Sequence, residues 1–280
     1  MNTNEKKYFC DYDSEETVSS LAEQILNDPE LPSLKSIVIG MWDHEIWEAD
    51  PSAILSMIVD NKEKFRHIES LFVGDMESEE CEISWIKQGN YEELLKSLPN
   101  LKSLKIQGAE GLTLGKIDHK NLEEFEVVCG GLPVSVVNSL KAANLPNLRK
   151  LVLYSGSENY GYDCEVSDFA DLAKKDLFPK LKHLGFPDSE RQDDLTRVIL
   201  ESDILPQLEV IDISCGCLTD KGGQLILDAA DKLGGLKKLH ASYHYMSGEM
   251  MKKLEALPFE ADVSDPQDVD EYGMWPMITE

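Results

Sequence analysis

An α/β solenoid, a curved parallel sheet backed by helices, is the fold class this sequence predicts. Three observations carry it: a short strand motif that recurs eight times, helical apolar spacing between the recurrences, and helix-start signals ahead of those stretches. A chain of 280 residues would ordinarily suggest about two domains. The repeat replaces that expectation with one array.

Aligned on L-P-x-L-x-x-L-x-L, the recurrences are LPSLKSIVI (31–39), FRHIESLFV (65–73), LPNLKSLKI (98–106), KNLEEFEV (120–127), LPNLRKLVL (145–153), FPKLKHLGF (178–186), LPQLEVIDI (205–213) and LGGLKKLHA (233–241). Their anchors are Leu34, Ile68, Leu101, Leu122, Leu148, Leu181, Leu208 and Leu236. Alternation in each strand sends two apolar side chains to one side and leaves the other side available. Between the strands, Val18, Leu21, Ile25 and Leu26, then Ile54, Leu55, Ile58 and Val59, keep helical spacing, as do Val136, Val137 and Leu140, Phe169 and Leu172, Leu195, Val198 and Ile199, and Leu225 and Ile226. Asp13 three residues before Glu16, Pro51, and Thr219 before Asp220 read as helix starts. Between the third and fourth strands only 108–120 intervene, which predicts a bare loop there.

A strand-plus-helix unit of this length is a leucine-rich repeat of the long, ribonuclease-inhibitor-like kind, giving a horseshoe with a concave parallel sheet and outer helices. The Asn or Cys that usually ends the turn is missing: the equivalent positions hold Trp42, Met76, Ala109, Gly130, Gly156, Ser189, Gly216 and His244. The turns must be built differently. Residues 1–263 form the expected single domain, with an N-terminal cap at 1–30, about eight repeats over 31–246, and a last helix and edge strand at 247–263. Residues 264–280 carry acids and no base, predicting a flexible acidic tail pinned by Trp275.

The segments LKSIVIGMWD (34–43), GDMESEECEISWI (74–86) and LPNLRKLVLYSGSENYGYD (145–163) resemble a family of bacterial cytoplasmic leucine-rich-repeat proteins, over nearly all of residues 6–258. That resemblance implies the fold and a bacterial cytosol. It implies no catalytic residue.

Composition excludes several function classes. With 53 acids, 27 bases and a net charge of −26, and no Lys/Arg run longer than a doublet, nucleic acid and anionic membrane are disfavoured as partners. No apolar run is long enough to span a membrane, and the N-terminus shows no leader pattern, so a soluble cytoplasmic protein is expected. Six scattered cysteines without CxxC suit free thiols. Cys215 and Cys217 could hold a soft metal, but strand-end packing explains them as well. Asp11, Asp13 and Glu15 mimic a calcium loop whose sixth position should be Gly and is Glu16; an N-cap with acids on the first turn accounts for them. His240 and His244 are four apart on a strand and loop, not on a helix face, and read as polar loop residues. No nucleotide motif occurs, and no cofactor or metal is expected.

Strand alternation lines the concave face with a middle column of Val38, Phe72, Lys105, Glu126, Val152, Gly185, Asp212 and His240. Tyr154, Ser214 and Ser242 fall in the next column. Asp212 and His240 occupy neighbouring strands, ~5 Å apart by strand spacing. With Ser214 or Ser242 they supply the residue types of a hydrolase, and an enzyme or metal protein built on Asp212 and His240 is the alternative reading. Parallel ladders place polar residues side by side by construction, no oxyanion-hole turn accompanies them, and a shallow face excludes water poorly. The long loops that follow the strands are acidic and aromatic instead: 43–50, 75–82 and 155–168 contain no base. The function expected is therefore a non-catalytic scaffold that binds a protein or peptide with a basic surface through the concave sheet and this acidic, aromatic loop rim. The partner-binding candidates are Trp42, Asp43, Phe72, Asp75, Glu77, Glu79, Glu80, Trp85, Glu126, Tyr154, Tyr160, Asp212, His240 and Tyr243. Trp and Tyr that merely pack the loops down, with solvated acids, would produce the same sequence. An inhibitor whose acids imitate a nucleic-acid backbone is a third option.

Overall fold

A computed structural model describes residues 4–11 and 13–278. Ten strands form one parallel sheet whose spatial order is their chain order. They are β1 (Glu5–Tyr8), β2 (Ser36–Ile39), β3 (Ser70–Val73), β4 (Ser103–Gln107), β5 (Glu124–Val128), β6 (Lys150–Leu153), β7 (His183–Gly185), β8 (Val210–Asp212), β9 (Lys238–His240) and β10 (Glu260–Asp262). The helices are α1 (Val18–Leu26), α2 (Ser52–Asp60), α3 (Lys62–Phe65), α4 (Glu92–Ser97), α5 (Val134–Lys141), α6 (Val166–Leu172), α7 (Gln192–Glu201), α8 (Asp220–Asp228) and α9 (Gly248–Glu255). An open sheet with one covered face, each strand adjacent to the next in sequence, is the leucine-rich-repeat solenoid.

The register agrees with the strand alignment residue for residue. Val38, Phe72, Lys105, Glu126, Val152, Gly185, Asp212 and His240 stand in one row, continued by Asp262 of β10. All eight repeat anchors are buried, as are the inward-facing strand residues from Ile37 and Ile39 to Leu239 and Ala241. Full burial of one such aliphatic side chain stabilises by about 1.5–3 kcal/mol, so the stacked anchors are the main source of stability.

Helix starts depart from expectation in one place. The start of α1 is Thr17, whose hydroxyl accepts from Ser20 N while Ser20 Oγ accepts from Thr17 N, and no acid lies in the first turn. The Asp13/Glu16 pair therefore does not cap this helix. Thr219 does cap α8, accepting from Lys221 N, and Pro51 immediately precedes α2. Two helices escaped the periodicity reading, α3 and α4, of four and six residues. The link from β4 to β5 carries no helix, as its length required.

The turns that leave the strands repeat a geometry of their own. Gly108, Asp188, Cys215, Tyr243 and Asp265 occupy equivalent positions, and each has positive φ, between 54° and 92°. This left-handed residue extends the ladder by one bond: Asp188 N donates to Ser214 O, Cys215 N to Ser242 O and Tyr243 N to Ser264 O. Side-chain braces hold the turns where the usual Asn or Cys is absent. Gln88 Nε2 donates to Gln107 O, Gln192 Nε2 to Phe186 O, and buried His244 bonds Val263 O and accepts from Met246 N.

Residues 264–278, read from composition as a flexible tail, lie back across the turns after β7, β8 and β9. Gln267 N donates to His244 O, Met277 N to Cys215 O and Ile278 N to Asp188 Oδ1. Trp275 is held through its backbone, accepting at its carbonyl from Tyr245 and donating its N–H to the same hydroxyl.

Candidate functional site

On the concave face the charges neutralise one another. Glu126 lies between Lys105 at 3.2 Å and Lys150 at 2.5 Å. Burial pushes its carboxyl up, but the two lysines, Lys150 foremost, outweigh that and hold it below the usual carboxylate range. Lys105 Nζ also sits 4.7 Å above the Phe72 ring, and Lys238 pairs with Glu260 of the edge strand. Glu126 is thus already engaged inside the molecule. Tyr154 is partly buried beside it, its hydroxyl pushed up by burial.

The Asp212 and His240 pair forms no triad. The sheet makes them ladder partners, but Asp212 Oδ1 accepts from Ser214 Oγ at 2.6 Å and from Ser214 N at 3.1 Å. Asp262 and Ser264 repeat the arrangement one strand on, at 2.7 and 3.2 Å. An Asp-x-Ser turn that recurs on the edge strand is a way of ending a strand. Burial pushes the Asp212 carboxyl up. The His240 ring stacks on His183 at 6.3 Å, and burial, helped by Lys150, pushes His183 down to about 4. Among the described residues no group of three or more His, Cys, Asp or Glu is arranged to hold a metal ion. Of the calcium-like stretch, Tyr12 falls outside the described residues. His244, read as a polar loop residue, is fully buried as a turn brace.

The rim candidates divide. Trp42 is corrected: it is 0% exposed, with Nε1 donating to Ala49 O at 3.3 Å, so it belongs to the core. Asp43 is corrected too, being buried and accepting from Val18 N and Glu45 N. It does for α1 what Asp13 was expected to do. Asp75 pairs with Lys7 at 2.9 Å, and Tyr243 donates to Trp275 O at 3.3 Å. Glu77 and Glu79 are exposed, Glu80 is partly so and accepts from Glu77 N, and Trp85 is 58% exposed. None of Glu77, Glu79, Glu80, Glu82, Glu110 and Glu158 forms an ion pair among the described residues, whereas Glu126 and Glu260 of the sheet are each paired with lysine.

Trp85 and Glu110 line a cleft of about 580 Å³, and the other five acids lie on the two loops that supply its walls. Its floor is the short turns after β4 and β5, where Ala109, Cys129, Gly130 and Gly131 are buried. Its walls are the longer loops after β3 and β6, bringing Trp85 from one side and Tyr160 with Asn159 from the other. The helix-free β4–β5 link keeps the floor low between higher walls. Two glycines let the loops meet. A Cβ on Gly131 would strike the Tyr160 carbonyl, and one on Gly156, at φ +71°, would strike the carbonyl of Gly130. The loop after β4 is tied to the one before it by the Lys87–Glu110 and Asn90–Thr113 bridges. Tyr162, half-buried, stacks on Phe169 and anchors the far wall, and Asp163 accepts from Val134 N. Sequence reading missed Glu110 and Ser84 in this cleft. The short link was visible, but only the fold shows which loops flank it.

No family model and no curated protein matches the chain. Among solved structures, the crystal structure of a Bacteroides fragilis protein, a target of the Northeast Structural Genomics Consortium, is 46% identical. The match covers 100% of this chain and 79% of that one, with a TM-score of 0.93. A leucine-rich-repeat protein of Leptospira interrogans is 13% identical over 91% of this chain and 77% of its own, with a TM-score of 0.25.

Proposed function

The chain belongs to the same family as the Bacteroides fragilis protein, and we propose that it is a non-catalytic scaffold that binds a basic protein or peptide through the loops above β3 to β6. Repeat solenoids generally offer extended surfaces to protein partners, but a fold alone assigns no function. The observation that carries the reading is a run of rim acids, Glu77, Glu79, Glu80, Glu82, Glu110 and Glu158, that form no ion pair among the described residues beside an exposed Trp85, while Glu126 in the middle of the sheet is taken up by two lysines. Unpaired acids have no internal ion pair to break on meeting a cation, and an exposed aromatic supplies apolar area at low entropic cost. Among the described residues no helix is long and apolar enough to cross a membrane. The six cysteines are unpaired, which supports action in a reducing compartment such as the cytosol.

The test is affinity capture from native cytosol at low and high salt, with wild type beside the Glu79→Lys, Glu80→Lys double variant. Charge reversal at two rim positions weakens capture of the salt-sensitive partner about tenfold or more and flattens its salt dependence. Capture unchanged by the reversal at low salt overturns the reading.

A further inference from the structure

We infer that the cleft between Trp85 and Tyr160 seats one cationic side chain of the bound partner, a guanidinium or an ammonium group. The inference rests on the scaffold reading and names the chemistry of its contact. Four observations meet in this place. The cleft, at about 580 Å³, is large enough for an extended arginine or lysine side chain, and its floor is built of small residues, Ala109, Gly130 and Gly131. Its flanks carry two aromatic residues, and an aromatic face attracts a cation through its quadrupole, most strongly for Trp. Glu110, exposed at the edge, forms no ion pair among the described residues. Ser84 Oγ, also in the lining, is shielded from solvent and has no hydrogen-bond partner, so it offers an acceptor to a donor entering the cleft.

The surroundings favour a cation over a neutral or anionic occupant. Glu77, Glu79, Glu80 and Glu82 lie on the loop that ends in Trp85, and Glu158 on the loop that carries Tyr160. The base nearest in the ladder is Lys87, backbone-bridged to Glu110. Against these six carboxylates stand Lys87 and, near Tyr162, Arg191, which is already paired with Asp194; the field at the mouth is therefore negative, and an anion entering it would be repelled. A neutral polar group would gain the stacking contact without the charge.

The experiment uses the full chain, labelled with ¹⁵N, and titrates Nα-acetylarginine amide while the amide signals of Gly111, Gly131 and Gly161 are followed by NMR. All three glycines line the cleft. Saturable shifts at these signals are expected, weakened about fivefold by Glu110→Gln and about fivefold or more by Trp85→Ala. Nα-acetylcitrulline amide, the neutral isostere, keeps only the stacking contact and binds at least about fivefold more weakly. Equal shifts with the citrulline probe, or no saturable shift with the arginine probe, overturn the inference. Unperturbed amides in the distant repeats of each variant show that the fold is intact. The two readings fail separately. Loss of partner capture in the rim variant with no arginine response removes the cleft and leaves the scaffold; an arginine response with capture indifferent to the rim charges does the reverse.

Discussion

Asp188 is the residue whose surroundings depart furthest from its chemistry. It is 0% exposed at the end of β7, with φ of 60°, a conformation that Asp and Asn tolerate better than other side chains. Its Oδ1 accepts from Ile278 N, and its Oδ2 has no partner. Burial pushes the carboxyl up to about 8, against the bonds from the Ile278 and Met277 backbone. Because the folded value lies above the unfolded one, the folded state holds a proton that the unfolded state releases. The contribution to stability is complete below about pH 4 and is lost as pH rises through 8, at up to ~1.4 kcal/mol per pH unit. Asn keeps the acceptor, the left-handed preference and no charge. Asp188→Asn is therefore expected to melt higher than wild type at pH 8, with the gap closing toward pH 4; a gap independent of pH in thermal denaturation would contradict the account. Nothing in the sequence marked Asp188, since its equivalents are Gly108, Cys215, Tyr243 and Asp265, which share a backbone angle but span four residue types. Trp42 was misplaced for a related reason. Alternation tells inside from outside only as far as a strand extends, and Trp42 and Trp85 both lie beyond it, one at 0% and the other at 58% exposure. The parallel ladder already discounts the triad-like grouping, and the sequence holds a further ground, because Asp212-x-Ser214 recurs as Asp262-x-Ser264.

The strands were legible to the residue because apolar alternation and a fixed repeat constrain register twice over, and a slip of one would expose every anchor. Helices with two or more turns and a clear apolar face were legible as well. The short α4 was not, since Leu94 and Leu95 give too few turns for a period to emerge. The C-terminal segment shows the limit of composition. Its acids suggest disorder, yet its backbone amides and carbonyls complete the turns of β7, β8 and β9. Its side chains contribute less, for Val269, Tyr272, Met274, Trp275 and Met277 are all exposed. The segment should accordingly depend on the groups that bond its backbone. Tyr245 both donates to and accepts from Trp275, two bonds worth about 1 kcal/mol each. Tyr245→Phe is expected to speed hydrogen exchange at the Trp275 and Met277 amides about tenfold or more, while Trp275→Ala, which leaves those bonds possible, changes exchange at Met277 little. The reverse order would show that the indole, and not the backbone, holds the segment.

At the scale of the whole molecule the charge of −26 is divided unequally between surfaces that feel salt in different ways. Most of the bases sit in ion pairs along the sheet and the helix faces, among them Lys102–Glu69, Lys105–Glu126, Lys150–Glu126 and Lys237–Glu209. Exposed pairs of this kind contribute about 0–1 kcal/mol each, so screening them removes little. The acids in excess of the bases have no such partners. They concentrate on the rim of β2 to β6 and at the two ends of the chain, where they repel one another through solvent. Raising salt from about 0.02 M to about 0.3 M shortens the screening length to well under 10 Å and relieves that repulsion. The melting temperature should therefore rise by a few degrees over this range. Partner capture should move the opposite way, because the same unpaired acids attract a basic surface and screening weakens that attraction. Thermal denaturation and capture measured across one salt series check both signs together. A melting temperature that falls with salt would mean that the ion pairs outweigh the excess acids. Capture that holds or strengthens would place the binding energy in apolar area such as Trp85 instead of in the charge around it.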